Sequence, residues 1–475
     1  NPYPVCLKTR CSKRLRCCDQ FAMVKRDLRP KPLFDEASLH AFFVDHGVKP
    51  VHMGRIWKQI VDNPDCPLDE IPGIPEKIRV PLKEEFVACT STLVTSYESK
   101  IDGTVKMLIR LQDGGEVEAV LIHHSGMAED PEQEQTDLCG RRREARQRRE
   151  GREADKSEAW QRDTLCISSQ VGCRLGCTFC ATGTMGLQGN LWAGEILEQL
   201  LHARSIRPVS NIVFMGMGEP LENFSNVTSA IRGLVDPQRF GVAPGGITVS
   251  TVGIVGNMRR LMDEMPKIKL AVSLHAPTQE LREKLLPVAK TYRMDELLEV
   301  IDEYAERTAS DGKRKGMVMI SYVLLEDVND SIECAQQLRD LLLGKPVIVN
   351  LIPFNSYEGD PHNYRTPSAE RVLAFLRVLM EAGIRVLERR HHGRDISAAC
   401  GQLAKLGGRA PVADIENCTC TLSTDEAQGL AQARRSQCSD EQVAPVLFSP
   451  SLMSVGLVAV ACTALALFGW RRWRQ

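Results

Sequence analysis

The chain has 475 residues, 25% of them charged, and a formal net charge of −1. That length predicts a main domain with appendages, and near-neutrality excludes binding of nucleic acid through overall charge, so any such surface must come from local basic patches. The 17 cysteines, an odd number spread over a long chain, exclude a small secreted disulfide scaffold and predict reduced thiols with a few in special roles.

Residues 1–33 are basic, free of acid until Asp19 and without the apolar run of a secretory signal, so they read as an organelle-targeting remnant or a disordered leader. Residues 34–123 are expected to form a small accessory domain of RNA-binding type. Within it, Glu36 to His46 has helical spacing and Ile71-Pro72-Gly73-Ile74-Pro75 is a breaker. Phe86 to Val94, Lys106 to Leu111 and Val117 to Ile122 are strand-like runs joined by Asp102-Gly103 and Gly114-Gly115 turns. Residues 124–161 hold an acidic run followed by an arginine-rich stretch from Arg141 to Arg149, with too few apolar residues to bury a core. A charged insertion is expected there, either a solvated charge run or a basic surface for RNA phosphates.

From 162 to 408 strands and helices alternate. Asn211 to Gly218, Ile247 to Gly253, Ile268 to Ala276, Gly316 to Leu325, Pro346 to Phe354 and Ile384 to Arg390 are strand-like, while Ala193 to Ala203, Asp295 to Thr308, Ser331 to Leu343 and Ser368 to Gly383 have helical periodicity. Such alternation predicts parallel strands with helical crossovers. Six units are too few for a closed eight-unit barrel, so the expected fold is α/β, a partial (β/α)6 barrel. Residues 409–450 read as a polar linker. In 451–475, Leu452 to Trp470 carries no charge and is followed by Arg471, Arg472, Trp473 and Arg474. A bilayer-crossing helix needs ~20 apolar residues, and flanking Trp and Arg suit the interface. A C-terminal transmembrane tail anchor is expected, with a hydrophobic helix packed on another protein as the alternative.

The core opens on Cys173-Arg174-Leu175-Gly176-Cys177-Thr178-Phe179-Cys180. Three thiolates this close can ligate three irons of a cubane [4Fe-4S] cluster and leave the fourth open, whereas a structural zinc site needs a fourth Cys or His and favours C-x-x-C pairs. The spacing, with Phe179 before the last cysteine, resembles the radical S-adenosylmethionine (SAM) signature, which implies that the open iron chelates the amino and carboxylate groups of SAM.

A narrower resemblance rests on five stretches in one order: Thr164 to Cys173, Gly216-Met217-Gly218-Glu219-Pro220-Leu221, Ser273-Leu274-His275-Ala276, Asn350 to Asn355, and Asp395 to Leu403. Together they resemble the RlmN/Cfr group of radical SAM enzymes, which methylate an adenine of large-subunit ribosomal RNA. The similarity runs through roughly 163–406 and more loosely from 34. It implies a radical SAM barrel, a cluster on Cys173, Cys177 and Cys180, and SAM contacts at Gly218, Glu219, Ser250, Ser273, Leu274, His275 and Asn355. Gly216 and Gly218 are expected to let the backbone approach the cofactor.

The resemblance further implies that Cys400 takes a methyl group from one SAM, that a radical formed on this methyl adds to adenine C2, and that Cys166 releases the product through a disulfide with Cys400. Glu118 matches the proton acceptor of the family, and a surface carboxylate on a β-hairpin fits it equally. The insertion 124–161 is expected beside Cys166, where it would affect RNA access. The implied substrates are rRNA, free or incompletely assembled, and tRNA; the implied partners are an electron donor such as flavodoxin or ferredoxin and, through the tail, a membrane. A monomer is expected, in the cytoplasm or in an organelle such as a chloroplast or mitochondrion. Two other readings stand beside this one: adenine C8 methylation of the Cfr type, and a non-catalytic membrane-tethered iron-sulfur RNA-binding adaptor, which would have no use for Cys166 and Cys400 together.

Overall fold

The computed structural model describes residues 28–124, 162–308, 317–388, 392–399 and 401–403, all within one compact unit spanning 1–423. Lys31–Pro32 (β1) and Phe86–Val87 (β2) pair in parallel and bracket three helices, Glu36–Asp45, Val51–Asp62 and Glu76–Glu85. The first starts at Asp35, whose carboxylate accepts from Ser38 N, an N-cap that satisfies one of the orphan amides of a helix start. These helices bury Leu39, Phe43, Ile56, Ile60 and Ile78. They dock on the barrel through the Arg239 guanidinium, 3.5 Å over the Trp57 ring, and through Phe34 against Phe240.

Three antiparallel strands follow, Thr92–Glu98 (β3), Val105–Arg110 (β4) and Glu116–His124 (β5), and β5 pairs antiparallel with Arg162–Cys166 (β6). Gln170–Cys173 (β7) and Gly186–Asn190 (β8) make a separate hairpin. The remaining strands are Asn211–Phe214 (β9), Ile247–Thr251 (β10), Lys269–Ser273 (β11), Val318–Leu324 (β12), Val347–Pro353 (β13) and Arg385–Glu388 (β14). One ten-stranded sheet results, in the order β14-β13-β12-β11-β10-β9-β6-β5-β4-β3. From β6 through β14 its pairings are parallel, and helices cross between successive strands. The six strand runs expected from the sequence are β9 to β14; β6, which is not among them, adds a parallel strand ahead of β9, and the sheet stays open because its edges β14 and β3 do not pair.

Two expectations are corrected. The strands of the accessory region form no sheet of their own: β5 hydrogen-bonds to β6, so β3–β5 are an antiparallel wing of the core sheet. An open parallel sheet has a free edge that needs cover, and β6 has only β9 on its other side. The insertion also does not leave the chain beside Cys166. His124 pairs with Arg162 and Val120 with Cys166, so residues 125–161 depart at the amino end of β6 and Cys166 lies at its carboxyl end. His123 Nδ1 and Asp163 Oδ1, 2.8 Å apart, bridge this neck.

Residues 1–27 of the basic leader, the arginine-rich stretch, the polar linker and the apolar run Leu452 to Trp470 lie outside the described residues, as does Cys400. The expected end of the leader at 33 is also corrected: Lys31–Pro32 pairs with β2 and Leu28 and Leu33 are buried, so residues 28–33 belong to the folded domain. Among the described residues no helix is long and apolar enough to cross a membrane.

Candidate active site

The three cluster cysteines sit on the loop after β7. Cys173 ends that strand opposite Gly186, Gly176 turns the chain at φ +65°, and Thr178 N donates to Leu285 O at 3.0 Å. Cys173, Cys177 and Cys180 pack against an apolar group containing Leu175, Phe179, Val252, Leu285 and Phe354. All three line one cavity. Burial pushes the Cys173 thiol up to about 12 and the Cys177 thiol well above its ordinary range, and the neighbouring thiols add to both shifts. Thiolates are therefore unfavourable here until a cation arrives. Soft donors spread along a cavity wall, one for each of three irons, fit a cubane cluster.

The opposite wall comes from strand ends. Ser250 of β10, Ser273 of β11, Gly218, Glu219, His275 and Asn355 all line the same cavity, at the carboxyl ends of the parallel strands where open α/β sheets bind ligands. Leu274 is the exception: its side chain is fully buried and absent from the lining, since successive side chains of extended backbone point to opposite faces. Glu219 accepts from Leu221 N and Val252 N, each at 3.0 Å. His275 adopts φ +59°, a strained conformation for a non-glycine residue, and its ring lies edge-on to Phe179 at 4.9 Å. Its Nδ1 accepts from Val323 N at 3.0 Å, which leaves the hydrogen on Nε2. Burial lowers its pKa to about 3, so the ring is neutral.

Gly216 and Gly218 both line the cavity, and packing behind them also demands glycine. A Cβ on Gly216 would lie 2.6 Å from Ile167 O, and one on Gly218 (φ +94°) would lie 2.4 Å from the Gln170 Cβ. Both glycines admit the 167–170 segment, and Gln170 Oε1 in turn accepts from Glu219 N at 2.8 Å. Gln170, which stands behind the lining, escaped the sequence reading, as did two lining residues, Thr251 and Ser321. So did Asn329, whose amide donates to His275 O at 2.9 Å and Val323 O at 2.7 Å and so holds the strained turn. In sequence it is one more polar loop residue.

Burial raises the Glu219 carboxyl to about 7, above its ordinary 4.5. A carboxyl that binds its proton more tightly when folded contributes stability below pH 4.5 and loses it as pH rises through 7. Glu219→Gln escapes that loss. We expect the cofactor-free variant to gain up to about 3 kcal/mol on the wild type between pH 5 and pH 8, read from urea unfolding at both values; an equal difference at the two pH values would refute the shift.

Cys166 and Glu118 belong to a neighbouring centre. Cys166 is 4% exposed, does not line the cavity, and pairs with Val120 on one side and Val213 on the other. Val120 pairs in turn with Lys106 of β4, so Cys166, Val120 and Lys106 form one row across the sheet, with Glu118 on the same face two residues from Val120. Glu118 is 5% exposed, which corrects its reading as a surface carboxylate. Its Oε1 lies 2.8 Å from Lys106 Nζ, and Nζ also donates to Ser397 O at 3.2 Å.

Ser397 opens the segment on which Cys400 falls. Upstream, Asp395 accepts from Ser99 Oγ at 2.7 Å and Lys100 N at 3.0 Å, and Gly393 N donates to Asp102 Oδ2 at 3.0 Å. Downstream, Gly401 O accepts from Ala181 N at 2.8 Å, Gln402 Nε2 donates to Ser356 O at 2.6 Å, and Thr182 Oγ1 donates to Leu403 O. The described residues flanking position 400 thus reach from the β3–β4 turn to the cysteine loop.

Residues 167–335, which include the cysteine loop and most of the cavity wall, match the Radical SAM superfamily, and the protein is a radical SAM enzyme. A solved radical SAM methyltransferase from Sphaerobacter thermophilus superposes with a TM-score of 0.65 at 35% identity, over 79% of this chain and 99% of that one. Two relatives described as probable dual-specificity RNA methyltransferase RlmN are similar over about three quarters of this chain. The one from Thermotoga neapolitana is 38% identical over 359 residues, 75% of this chain and 92% of its own length; the one from Rhodopirellula baltica is 37% identical over 368 residues, 77% and 87%. The chain belongs to the RlmN family of radical SAM RNA methyltransferases. Its cofactors are a [4Fe-4S] cluster and SAM.

Proposed function

We propose that this protein methylates C2 of an adenine in large-subunit rRNA, and in tRNA, with Cys400 as the methyl carrier. One observation carries the reading: Gly401, next to Cys400, lines the same cavity as Cys173, Cys177 and Cys180. When bound, the cluster and SAM supply a carbon radical that can abstract hydrogen from an unactivated methyl group. Cys173, Cys177 and Cys180 hold the cluster. Glu219 meets the amino group of SAM, and Ser250, Ser273, His275 and Asn355 supply polar contacts around the rest of it.

Carbon 2 of adenine is electron-poor and carries no acidic proton, so it cannot attack a methyl group as an amine would. Cys400 therefore takes the methyl first: its thiolate attacks the methyl carbon of one SAM and S-adenosylhomocysteine leaves. After the carbon is joined to adenine and one electron has left the adduct, Glu118 accepts the C2 proton. The Cys166 thiolate then attacks the Cys400 sulfur, and the C–S electron pair passes to the carbon, which takes up a proton to become the methyl group. The resulting Cys166–Cys400 disulfide is reduced by an external thiol before the next turnover. Flavodoxin or ferredoxin is the proposed electron donor. A base paired inside folded RNA cannot reach the cavity, so the substrate adenine is splayed out.

Nucleoside mass spectrometry of rRNA and tRNA from cells lacking the protein tests this directly. Loss of 2-methyladenosine is expected; loss of 8-methyladenosine instead would establish the C8 reaction, and no change in either would overturn both. The apolar run Leu452 to Trp470 is proposed as a membrane tether. Full-length protein should resist carbonate extraction and protein lacking 450–475 should not; extraction of both would remove the tether.

A further inference from the structure

Arg282, on the helix Gln279–Leu285, is the largest fully buried side chain among the described residues. Its Nη2 donates to Val252 O at 2.5 Å and Ser273 O at 3.3 Å, and Nη1 to Tyr292 O at 3.3 Å. Its Nε has no partner. Every acceptor is a neutral carbonyl, and among the described residues no carboxylate pairs with this guanidinium. A buried cation without a counter-charge costs several kcal/mol, and a neutral donor could tie the same three carbonyls together. The fold retains a charge where hydrogen bonding alone does not require one.

The position of that charge suggests its partner. Val252 and Ser273 line the cavity, so the guanidinium lies directly behind the wall. One turn further along the same helix, Leu285 O accepts from Thr178 N, next to Cys177. Val252 and Ser273, whose carbonyls the guanidinium binds, line the cavity together with Cys177, so the charge and the cysteine loop face one another across a single wall. Three thiolates on an iron-sulfur cubane give an anionic unit, and reduction adds one more negative charge.

We propose that Arg282 is the counter-charge of the [4Fe-4S] cluster, holding its reduction potential up from behind the cavity wall. The proposal rests on the assignment of Cys173, Cys177 and Cys180 to the cluster. Cluster potentials follow net charge, hydrogen bonding and solvent exposure, and here a buried cation meets the charge term without solvent. Arg282 touches no reacting atom and is a positioning and tuning residue.

Two substitutions separate charge from hydrogen bonding. Arg282→Gln keeps an amide donor for the carbonyls and loses the charge, whereas Arg282→Lys keeps the charge and cannot reach all three carbonyls. Wild type and both variants are reconstituted anaerobically, and iron content, thermal midpoint and the midpoint potential followed by electron paramagnetic resonance are measured. Both variants should melt earlier. The potential of Arg282→Lys should stay near wild type, and that of Arg282→Gln should fall by at least 59 mV, a tenfold change in the one-electron equilibrium. A folded Arg282→Gln that holds no cluster while Arg282→Lys holds one also supports the charge. An unshifted Arg282→Gln, equal shifts in both variants, or loss of the cluster from both would overturn the proposal. Wild type that assembles no cluster would overturn the cysteine assignment itself.

Discussion

Cys166→Ala will accumulate a covalent protein–RNA adduct, and Cys400→Ala will form none. Each variant loses a single thiol, yet they stop the reaction on opposite sides of the bond-forming step. Without Cys400 the methyl group has no carrier, so neither methylcysteine nor any RNA adduct can arise. Without Cys166 the carrier is still loaded and addition to adenine still occurs, but no thiolate is left to release the product. Cys166 is suited to a late role: it is buried outside the cavity, in the row with Lys106, which bonds the Ser397 carbonyl. Turnover should be lost in both variants. A denaturing gel with labelled RNA and mass analysis of residue 400 distinguish them. An adduct in Cys400→Ala, or in neither variant, would refute the division of labour.

The second large effect concerns Lys106. Its ammonium and the Glu118 carboxylate are 8% and 6% exposed at 2.8 Å, and removing one member of such a buried pair leaves the other charge uncompensated, at a cost of about 3–5 kcal/mol. Lys106→Met should lose that amount in urea unfolding. Lys106→Met combined with Glu118→Leu should recover most of it, because both charges then leave the interior together. If the double variant is as unstable as the sum of the two single variants, the pair is not coupled and the effect belongs to packing alone.

These residues show why parts of the site were legible in sequence and others were not. The three cluster cysteines lie within eight positions, so their spacing carries the chemistry. Ser250 and Ser273 lie at the ends of apolar strand runs, and the strand ends of an open α/β sheet form the mouth of its cavity. The motif around His275 also names Leu274, whose side chain faces away from the cavity, because a motif names neighbours without regard to the side on which each faces. Lys106 looks like the outward residue of the run Val105–Arg110; its burial depends on Glu118 in the next strand and Ser397 near the end of the chain. Arg282 sits in a stretch of alternating charge, Glu280 to Lys284, that reads as a solvated helix face. The wing β3–β5 was legible as strands and not as part of the core sheet, because ladder partners are chosen by topology, beyond the reach of local pattern.

The span that carries residue 400 has a history as well as a position. Its upstream hydrogen bonds close over 296 residues to Ser99 and 295 to Lys100, and its downstream bond from Thr182 closes over 221. Contacts this distant form late, because the loops they close are entropically expensive until the intervening chain is ordered. The hydrogen bonds that hold this span therefore need the wing and the cysteine loop already formed. On the role proposed for Cys400, a chain in which either is unformed would have no means of bringing the methyl group to the place where a radical would form.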